Sequence, residues 1–313
     1  MATGKNIFKA KQFTDEEAAR QWFETARWPD GPTCPHCGSL KHYATKKAGR
    51  YRCGEKECRK DYTVMTKSVM ERSHAPLTMW AMAFHLYASS KKGFTAAQLE
   101  RLLGCEYNTA WFIHHRVMEA MRRGGLDLPP MGGPGKVVEV DEAYHGKLDT
   151  PRQRSKYLPP PTKGGRSGPA RKRAIVSLVE RGGDVRSFHV PSADIENVAR
   201  IVRDNVHRES RLHTDESNLY KKIGAEFAAH ETVNHSAKEY ARGDVTTNTV
   251  EGFFSIFKRG MRGNYQHCAE KNLHRYVAEF DFRYCTRKLT DGERAALAVK
   301  GGEGKRLTYR QPR

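Results

Sequence analysis

The sequence contains no long apolar run and is poor in acidic residues. Its longest apolar stretches are far shorter than the ~20 residues of a membrane-spanning helix, so we expect no membrane association. No apolar segment follows Met1, so we expect no signal peptide and a cytoplasmic location. Lys and Arg number 55 against 36 Asp and Glu, which gives a formal net charge of +19. This excess is typical of proteins that bind nucleic acid, although a ribosome-associated or merely soluble basic protein would share it.

Cysteine is scarce, and its distribution argues against a disulfide framework. The chain has 7 cysteines, an odd number, and four of them form two tight pairs, Cys34-x2-Cys37 and Cys53-x4-Cys58. Paired cysteines at this spacing predict a structural Zn²⁺ site of the zinc-ribbon type in a reducing compartment. His36 could replace one cysteine as a ligand, but it is better explained as a surface residue between two ligands.

Basic residues surround the cysteine pairs, within a predicted zinc ribbon over residues 34–66. The positions are Lys41, Lys46, Lys47, Arg50, Arg52, Lys56, Arg59 and Lys60. Their charge suits contact with phosphate groups. An alternative is a ribbon that only supports the fold or contacts another subunit, because a closed zinc site performs no chemistry itself.

Helices are predicted on both sides of the ribbon. In the N-terminal segment, residues 1–33, a helix over 14–27 should begin at Thr14, with Glu17 completing a capping box. Residues 67–124 are predicted to contain three helices. Apolar residues at helical spacing indicate the first, the second ends at Gly104, and the third runs to about Met121. This order is typical of a helix-turn-helix.

The third helix supplies candidate DNA contacts. Asn108, Thr109 and Arg116 are predicted to face a groove, and Trp111 and His115 are weaker candidates. Asn and Arg are the usual readers of base edges.

A second domain is predicted after a Gly- and Pro-rich linker at 125–135. Residues 136–290 show strands and helices in the order β-β-β-α-β-α-β-α, which predicts an α/β protein with a ribonuclease-H-like catalytic domain. Residues 150–173 are rich in Pro, Gly and basic residues and predict a long mobile loop between the first two strands. Residues 291–313 predict a basic C-terminal tail.

Three acidic residues of this domain are candidate metal ligands. Asp141 and Asp215 each follow a predicted strand, and the two strands can lie side by side in such a sheet. Glu251 lies on a helix beside an apolar arc, with Lys258 two turns later near the same face. Carboxylates that hold two Mg²⁺ ions are the usual machinery for cutting a phosphodiester. The adjacent acids Glu139, Glu142 and Glu216 are rivals that the pattern alone does not exclude.

These residues resemble those of a known family. The matching stretches are RWPDGPTCPHCGS (27–39), YRCGEKECRKDYTV (51–64), VVEVDEAYHGK (137–147), HTDES (213–217), VNHSAKEYARGDVTTNTVEGFFSIFKRGMRGNY (233–265) and HRYVAEFDFRYCTRK (274–288). The chain therefore resembles, over roughly residues 13–290, a bacterial insertion-sequence transposase of the DDE type with an N-terminal zinc ribbon, the ISXO2-like group. The stretch from 233 to 288 is the most specific part.

The resemblance implies metal-dependent cleavage at the ends of an element and transfer of the freed 3′-hydroxyl into target DNA. It places the three acids of the family on Asp141, Asp215 and Glu251, with Asn248 as a minor alternative for the third. The trailing basic residue falls on Lys258, next to Arg259, and both are expected to contact DNA. It further implies two Mg²⁺ or Mn²⁺ ions and a homodimer or larger assembly.

Two other functions are compatible with the sequence. The first is a DNA-binding regulator derived from a transposase whose catalytic domain is inert. The second is a structure-specific nuclease that cuts DNA without joining it. All three acids and Lys258 are present, so no loss of the catalytic residues is visible.

Overall fold

The computed structural model describes residues 9–123, 128–148 and 172–307. The chain divides into two compact units, Met1–Arg123 with Lys288–Arg313 and Gly124–Arg287. Most of the loop predicted at 150–173 lies outside the described residues.

The helices and strands are numbered along the chain. The helices are α1 (Glu16–Arg27), α2 (Leu77–Ser89), α3 (Ala96–Leu103), α4 (Tyr107–Met121), α5 (Ile195–Asn205), α6 (Lys221–Gly224), α7 (Asn248–Gly260), α8 (Leu273–Cys285) and α9 (Asp291–Gly301). The strands are β1 (His42–Ala44), β2 (Arg50–Cys53), β3 (Asp61–Thr63), β4 (Val137–His145), β5 (Arg173–Glu180), β6 (Val185–Val190), β7 (Arg211–Asp215), β8 (Ala229–Val233), β9 (Ala241–Arg242) and β10 (Val245–Thr246). None of the helices in the described ranges has both the length and the apolar character needed to cross a bilayer.

Helix α1 begins one residue later than the sequence predicts. Asp15 is the N-cap, and its carboxylate accepts a hydrogen bond of 2.7 Å from the amide of Ala18. Thr14 instead closes the preceding 3-10 turn, where its backbone amide donates to Lys11 O. The prediction of Thr14 as the cap is therefore wrong, because a turn ahead of the helix occupies that residue. Phe23 on α1 is fully buried and packs edge-on against Phe84 of α2.

Helices α3 and α4 form the predicted helix-turn-helix pair. Thr95 and Gln98 make a complete capping box at the start of α3. The helix ends at Gly104, whose φ of +61° is a left-handed conformation that glycine adopts without strain. From Ile113 to Met121, every residue of α4 is buried. Only the first turns of α4 therefore offer side chains to an external partner.

The last described helix belongs to the first unit. Residues from 291 were predicted to be a tail, but α9 forms there, with Thr290 and Glu293 making a capping box. Helix α9 packs on α1, α2 and α4. The chain after it is fastened by the amide of Val69, which donates to Gly302 O over 3.1 Å.

The second unit contains a five-stranded sheet in the order β6-β5-β4-β7-β8. β4, β5 and β6 are antiparallel, whereas β4–β7 and β7–β8 are parallel. This mixed sheet with its helices confirms the predicted ribonuclease-H-like fold. The unit begins before residue 136, because Met131 in the predicted linker is buried and bonded to Asn205 O and His207 N.

Each face of this sheet packs against helices. Val138 and Val140 of β4 belong to an apolar cluster with Val198 and Val202 of α5. The alternate residue Glu139 points to the other face, where it bonds to the start of α7. The apolar arc predicted on α7 is buried: Val250, Phe253, Phe254 and Phe257.

We predict that α9 is required for the first unit to fold. Ala298→Asp places a charge at a fully buried position, whereas Leu297→Asp changes a neighbour that is 38% exposed. The first change should destabilise the unit by about 3 kcal/mol or more and the second by about 0.5 kcal/mol or less. Hydrogen exchange measured by mass spectrometry should show lost protection in α1, α2 and α4 but not in β4–β8. Equal effects of the two variants would contradict the assignment.

Candidate active site and zinc centre

Asp141 and Asp215 meet where the pairing of β4 with β7 stops. The last paired residues are Glu139 and His213, so both aspartates lie two residues further along their strands. Asp215 ends β7, as predicted. Asp141 was also predicted at a strand end, but it lies in the middle of β4, which continues to His145 paired with β5. The pairing of β4 with β7 therefore stops just before Asp141, whereas the strand itself continues.

Glu142 is the third carboxylate of this group. The ligand oxygens of Asp141, Glu142 and Asp215 all lie within 4.8 Å of one another. Glu142 follows Asp141 in the strand and points to the opposite face of the sheet. There its carboxylate accepts a hydrogen bond from the hydroxyl of buried Tyr220.

Glu251 lies near this group but outside it. Its side chain is in the first turn of α7 and is 43% exposed. Thr247 Oγ1 donates to Glu251 Oε1 over 2.9 Å, and His235 Nε2 lies 3.3 Å from the same oxygen. In the described part of the chain, the acidic group within 4.8 Å includes Asp141 and Asp215 but not Glu251.

The other two rival acids are occupied by partners within the fold. Glu139 is fully buried and bonds to Arg181 and to the backbone of α7. Glu216 accepts hydrogen bonds from the hydroxyl of Ser236 and from the amides of His235 and Ser236, which lower its pKa to about 2. Both acids hold backbone in place, so neither is available to an ion at the Asp141–Asp215 edge.

The carboxylates at this edge are close together and poorly solvated. Burial and, after it, the charge of Glu142 raise the pKa of Asp141 to about 7, with smaller contributions from Asp215 and Glu251. Burial also raises the pKa of Glu142 and of Asp215. Within residues 9–123, 128–148 and 172–307, no Lys or Arg forms an ion pair with any of the three; the ion pairs nearby belong to Glu139 and Glu251.

A divalent cation fits this donor set. Mg²⁺ and Mn²⁺ prefer oxygen ligands, and a cation relieves the repulsion between neighbouring carboxylates. The raised pKa values also mark the edge as a candidate functional site, because such shifts concentrate where a protein performs chemistry.

The four cysteines of the ribbon form a second metal site. Their sulfur atoms lie within 4.8 Å of one another; Cys34–Cys58 is 3.8 Å and Cys37–Cys53 is 3.5 Å. A tetrahedron with Zn–S of about 2.3 Å has sulfur atoms about 3.8 Å apart, so the geometry fits Zn²⁺.

The ribbon has little core besides this site. Trp28, Tyr51 and Tyr62 pack against one another with ring centroids 5.7–6.1 Å apart. The hydroxyl of Tyr51 donates to Glu24, which joins the ribbon to α1. Such a small cluster depends on a metal for stability.

The predicted DNA contacts on α4 differ in exposure. Asn108 is exposed and Thr109 half-buried, at the start of the helix where base contacts are expected. Arg116 is only 5% exposed. Its guanidinium donates to Glu71 O over 3.0 Å and stacks 3.8 Å from the ring centroid of Phe112. The prediction that Arg116 faces a groove is wrong, because this part of α4 is enclosed by its own unit.

On α7, Lys258 and Arg259 follow Glu251 by two turns. Lys258 is half-buried, with its ammonium 5.8 Å from the ring centroid of Phe254. Arg259 is exposed, and its Nε donates to Ser255 O over 3.2 Å.

Comparison with protein families assigns both parts of the chain. Residues 132–284 match the ISXO2-like transposase domain, and residues 14–61 match the transposase zinc-ribbon domain. The chain belongs to the ISXO2-like transposase family. A search of curated proteins finds no match to it. The zinc-ribbon match includes α1, in agreement with the contact between α1 and the ribbon.

Several residues around the candidate site were not predicted from the sequence. Tyr220, His235 and Thr247 each touch an acidic side chain of the site. His235 and Thr247 do lie in the stretch 233–265, the most specific part of the resemblance. Their partners could not be deduced, because the pairs form between elements distant in sequence.

We predict one Zn²⁺ per chain, bound by the cysteine quartet. Cys53→Ser should lose the ion and unfold the ribbon, since a structural zinc site supplies on the order of 10 kcal/mol to such modules. Metal analysis of purified protein, with circular dichroism, tests this. Cys105→Ser, a half-buried cysteine of the same unit, should keep the ion. Loss of zinc from the Cys105 variant, or its full retention in the Cys53 variant, would contradict the assignment.

Proposed function

We propose that this transposase binds the ends of its insertion sequence, cleaves them by metal-dependent hydrolysis and transfers the 3′-hydroxyl into target DNA. The observation that supports this is the group of half-buried carboxylates at the β4–β7 edge of a ribonuclease-H-like sheet, with no basic ion-pair partner among the described residues. An arrangement of this kind stabilises the protein poorly but suits the binding of hard cations.

Asp141, Asp215 and Glu251 would hold two Mg²⁺ or Mn²⁺ ions. Bound there, the ions would supply Lewis-acid stabilisation of the attacking and leaving oxygens of a phosphodiester. Glu251 is preferred to Asn248 as the third ligand because its charge already contributes to the raised pKa of Asp141. Of the three rival acids, Glu142 is the one that lies with the two aspartates, since one of its oxygens is within 4.8 Å of an oxygen of each.

The protein's own basic groups would hold the DNA beside these carboxylates. Lys258 lies two turns from Glu251 on the same helix, so its ammonium suits a phosphate next to the scissile one. Arg259 is exposed on the following position and would contact the backbone further along. Neither residue takes part in bond breaking in this proposal.

The ribbon offers a second surface for DNA. An open groove of about 600 Å³ is lined by Tyr43, Ala44, Thr45, Lys46, Lys47, Arg50, Arg52 and Asp61. Asp61 forms ion pairs with Arg50 at 3.0 Å and Arg52 at 2.7 Å, which fixes the two guanidinium groups. Tyr43 is 60% exposed beside them. A basic groove with an exposed ring fits a nucleic-acid backbone.

Base recognition would fall to the start of α4. Asn108 is exposed there and Thr109 is half-buried. Tyr107 at the start of α4 and Leu102 near the end of α3 are also exposed. Because two element ends have to be processed together, we propose a homodimer or larger assembly, acting in the cytoplasm.

The central test uses duplexes carrying the gene's flanking sequence, with Mg²⁺ or a chelator. Wild type should yield cleaved and joined products only with metal. Asp141→Asn and Asp215→Asn should lower both steps more than about 100-fold, above the usual cost of losing an outer-shell partner of a metal. Binding to the ends, measured by mobility shift, should stay within about 2-fold.

The third ligand is tested in the same assay. Glu251→Gln should match the aspartate variants, while Glu142→Gln and the exposed α5 control Glu196→Gln should keep at least about a tenth of wild-type activity. If Glu142→Gln lost more activity than Glu251→Gln, Glu142 would be the third metal ligand. Binding by wild type without any cleavage would favour a DNA-binding regulator, and cleavage without joining would favour a nuclease.

The ribbon groove is tested by salt dependence. Lys46→Ala/Lys47→Ala should weaken end binding and reduce the slope of log affinity against log salt by about 2, one for each lost phosphate contact. Fluorescence anisotropy over a KCl series measures both. The control Arg200→Ala/Arg203→Ala removes two charges from α5 and should leave the slope unchanged. An unaltered slope in the lysine variant would show that the ribbon groove does not bind DNA phosphates.

A further inference from the structure

Helix α7, which carries Glu251, lacks a cap from its own sequence. Thr247 is its N-cap residue, but its side chain makes no capping hydrogen bond. The first backbone amides of a helix have no partner within the helix, and leaving them unbonded in a buried place costs free energy.

A residue from a different element supplies the cap. Glu139 of β4 accepts hydrogen bonds from the amide of Thr249 at 2.8 Å and from the amide of Val250 at 3.0 Å. Its other oxygen accepts from the hydroxyl of Thr249 at 2.8 Å. Its negative charge also favours this end of the helix dipole. Glu139 is fully buried and only two residues before Asp141 in the same strand.

Arg181 fixes Glu139 and the segment before α7 together. Its guanidinium donates to Glu139 Oε1 at 2.8 and 3.2 Å. It also donates to the carbonyl oxygens of Asp244 at 2.8 Å and Thr246 at 3.3 Å, on either side of Val245 in β10. A buried carboxylate with this many donors is held in one orientation.

This arrangement leaves the hydroxyl of Thr247 available. Because Glu139 caps the helix, Thr247 Oγ1 can donate to Glu251 Oε1 at 2.9 Å. Thr247 is 1% exposed, so its side chain has little freedom to turn elsewhere. The same strand therefore carries Asp141 and, through Glu139, sets the position of Glu251.

We infer that Glu139, held by Arg181, is a positioning residue that places Glu251 beside Asp141 by capping α7 from the neighbouring strand, and that Thr247 orients the Glu251 carboxylate. The inference rests on the proposed role of Glu251 as a metal ligand. Glu139 itself touches neither metal nor DNA in this scheme.

The first experiment measures the Mn²⁺ affinity of the full-length Glu139→Gln variant and of wild type by calorimetry. The amide keeps the size of the side chain but loses its charge and one acceptor oxygen. Mn²⁺ affinity should fall on the order of 10-fold, as for other residues that orient metal ligands. Hydrogen exchange at the start of α7 should become faster. Unchanged affinity in a folded Glu139→Gln protein would overturn the inference.

A purely structural role is separated by the metal dependence of cleavage. Positioning predicts a Mg²⁺ midpoint about 10-fold higher, with kcat at saturating Mg²⁺ within about 3-fold of wild type. A structural role predicts an unchanged midpoint and a lower amplitude. Glu180→Gln is the matched control, because Glu180 also joins a strand to a backbone amide (Gly132) and a cation (Lys136) rather than to the amides of α7.

Thr247 gives a second test if Glu139→Gln fails to fold. Thr247→Val keeps the shape of the side chain but removes the hydroxyl, so it should weaken Mn²⁺ binding. Thr247→Ser keeps the hydroxyl, so its Mn²⁺ affinity should stay close to that of wild type. Equal affinity of the Val and Ser variants would overturn the assignment of Thr247. If wild type binds Mn²⁺ but never cleaves DNA, the proposed function fails, whereas the positioning role is still decided by the binding measurements.

Discussion

Mutual repulsion between carboxylates at the β4–β7 edge is the constraint on which the second unit depends. Asp141 and Asp215 are held together, partly out of water, with Glu142 against them. Nothing in these acids favours their own proximity, so the hydrogen bonds of the sheet have to enforce it. The parallel pairing of β4 with β7 does so up to Glu139 and His213, and then stops where space is needed. The rest of the unit can be understood as support for that edge.

The zinc ribbon and the proposed metal site at the sheet edge solve opposite problems. In the ribbon, a module with only a small aromatic cluster gains its stability from four thiolates around one ion. At the sheet edge, a well-packed apolar core on the β4 strand bears the cost of crowded charge. Removal of zinc should therefore unfold the ribbon, whereas the sheet of the second unit does not depend on zinc.

The sequence predicts best what depends on spacing along the chain. The cysteine pairs, the order of strands and the apolar arc of α7 follow from short-range pattern, and all three agree with the structure. Errors occur where a distant element decides the outcome. Arg116 has a polar side chain at an apparently accessible position, yet its helix is enclosed. The role of Glu139 is invisible in sequence, because the helix it caps begins more than 100 residues later. Asp141 lies where the pairing of β4 with β7 stops and not at the end of β4. The sequence pattern of one strand cannot reveal where its pairing with another strand stops.

Helix α9 has a consequence for how the chain is made. It completes the first unit, but it follows the whole second unit in the chain. During synthesis, helices α1, α2 and α4 therefore keep an uncovered apolar face until the second unit has been translated. A prematurely terminated product would carry the carboxylate edge but an incomplete first unit, and its uncovered apolar face would make it a substrate for proteases.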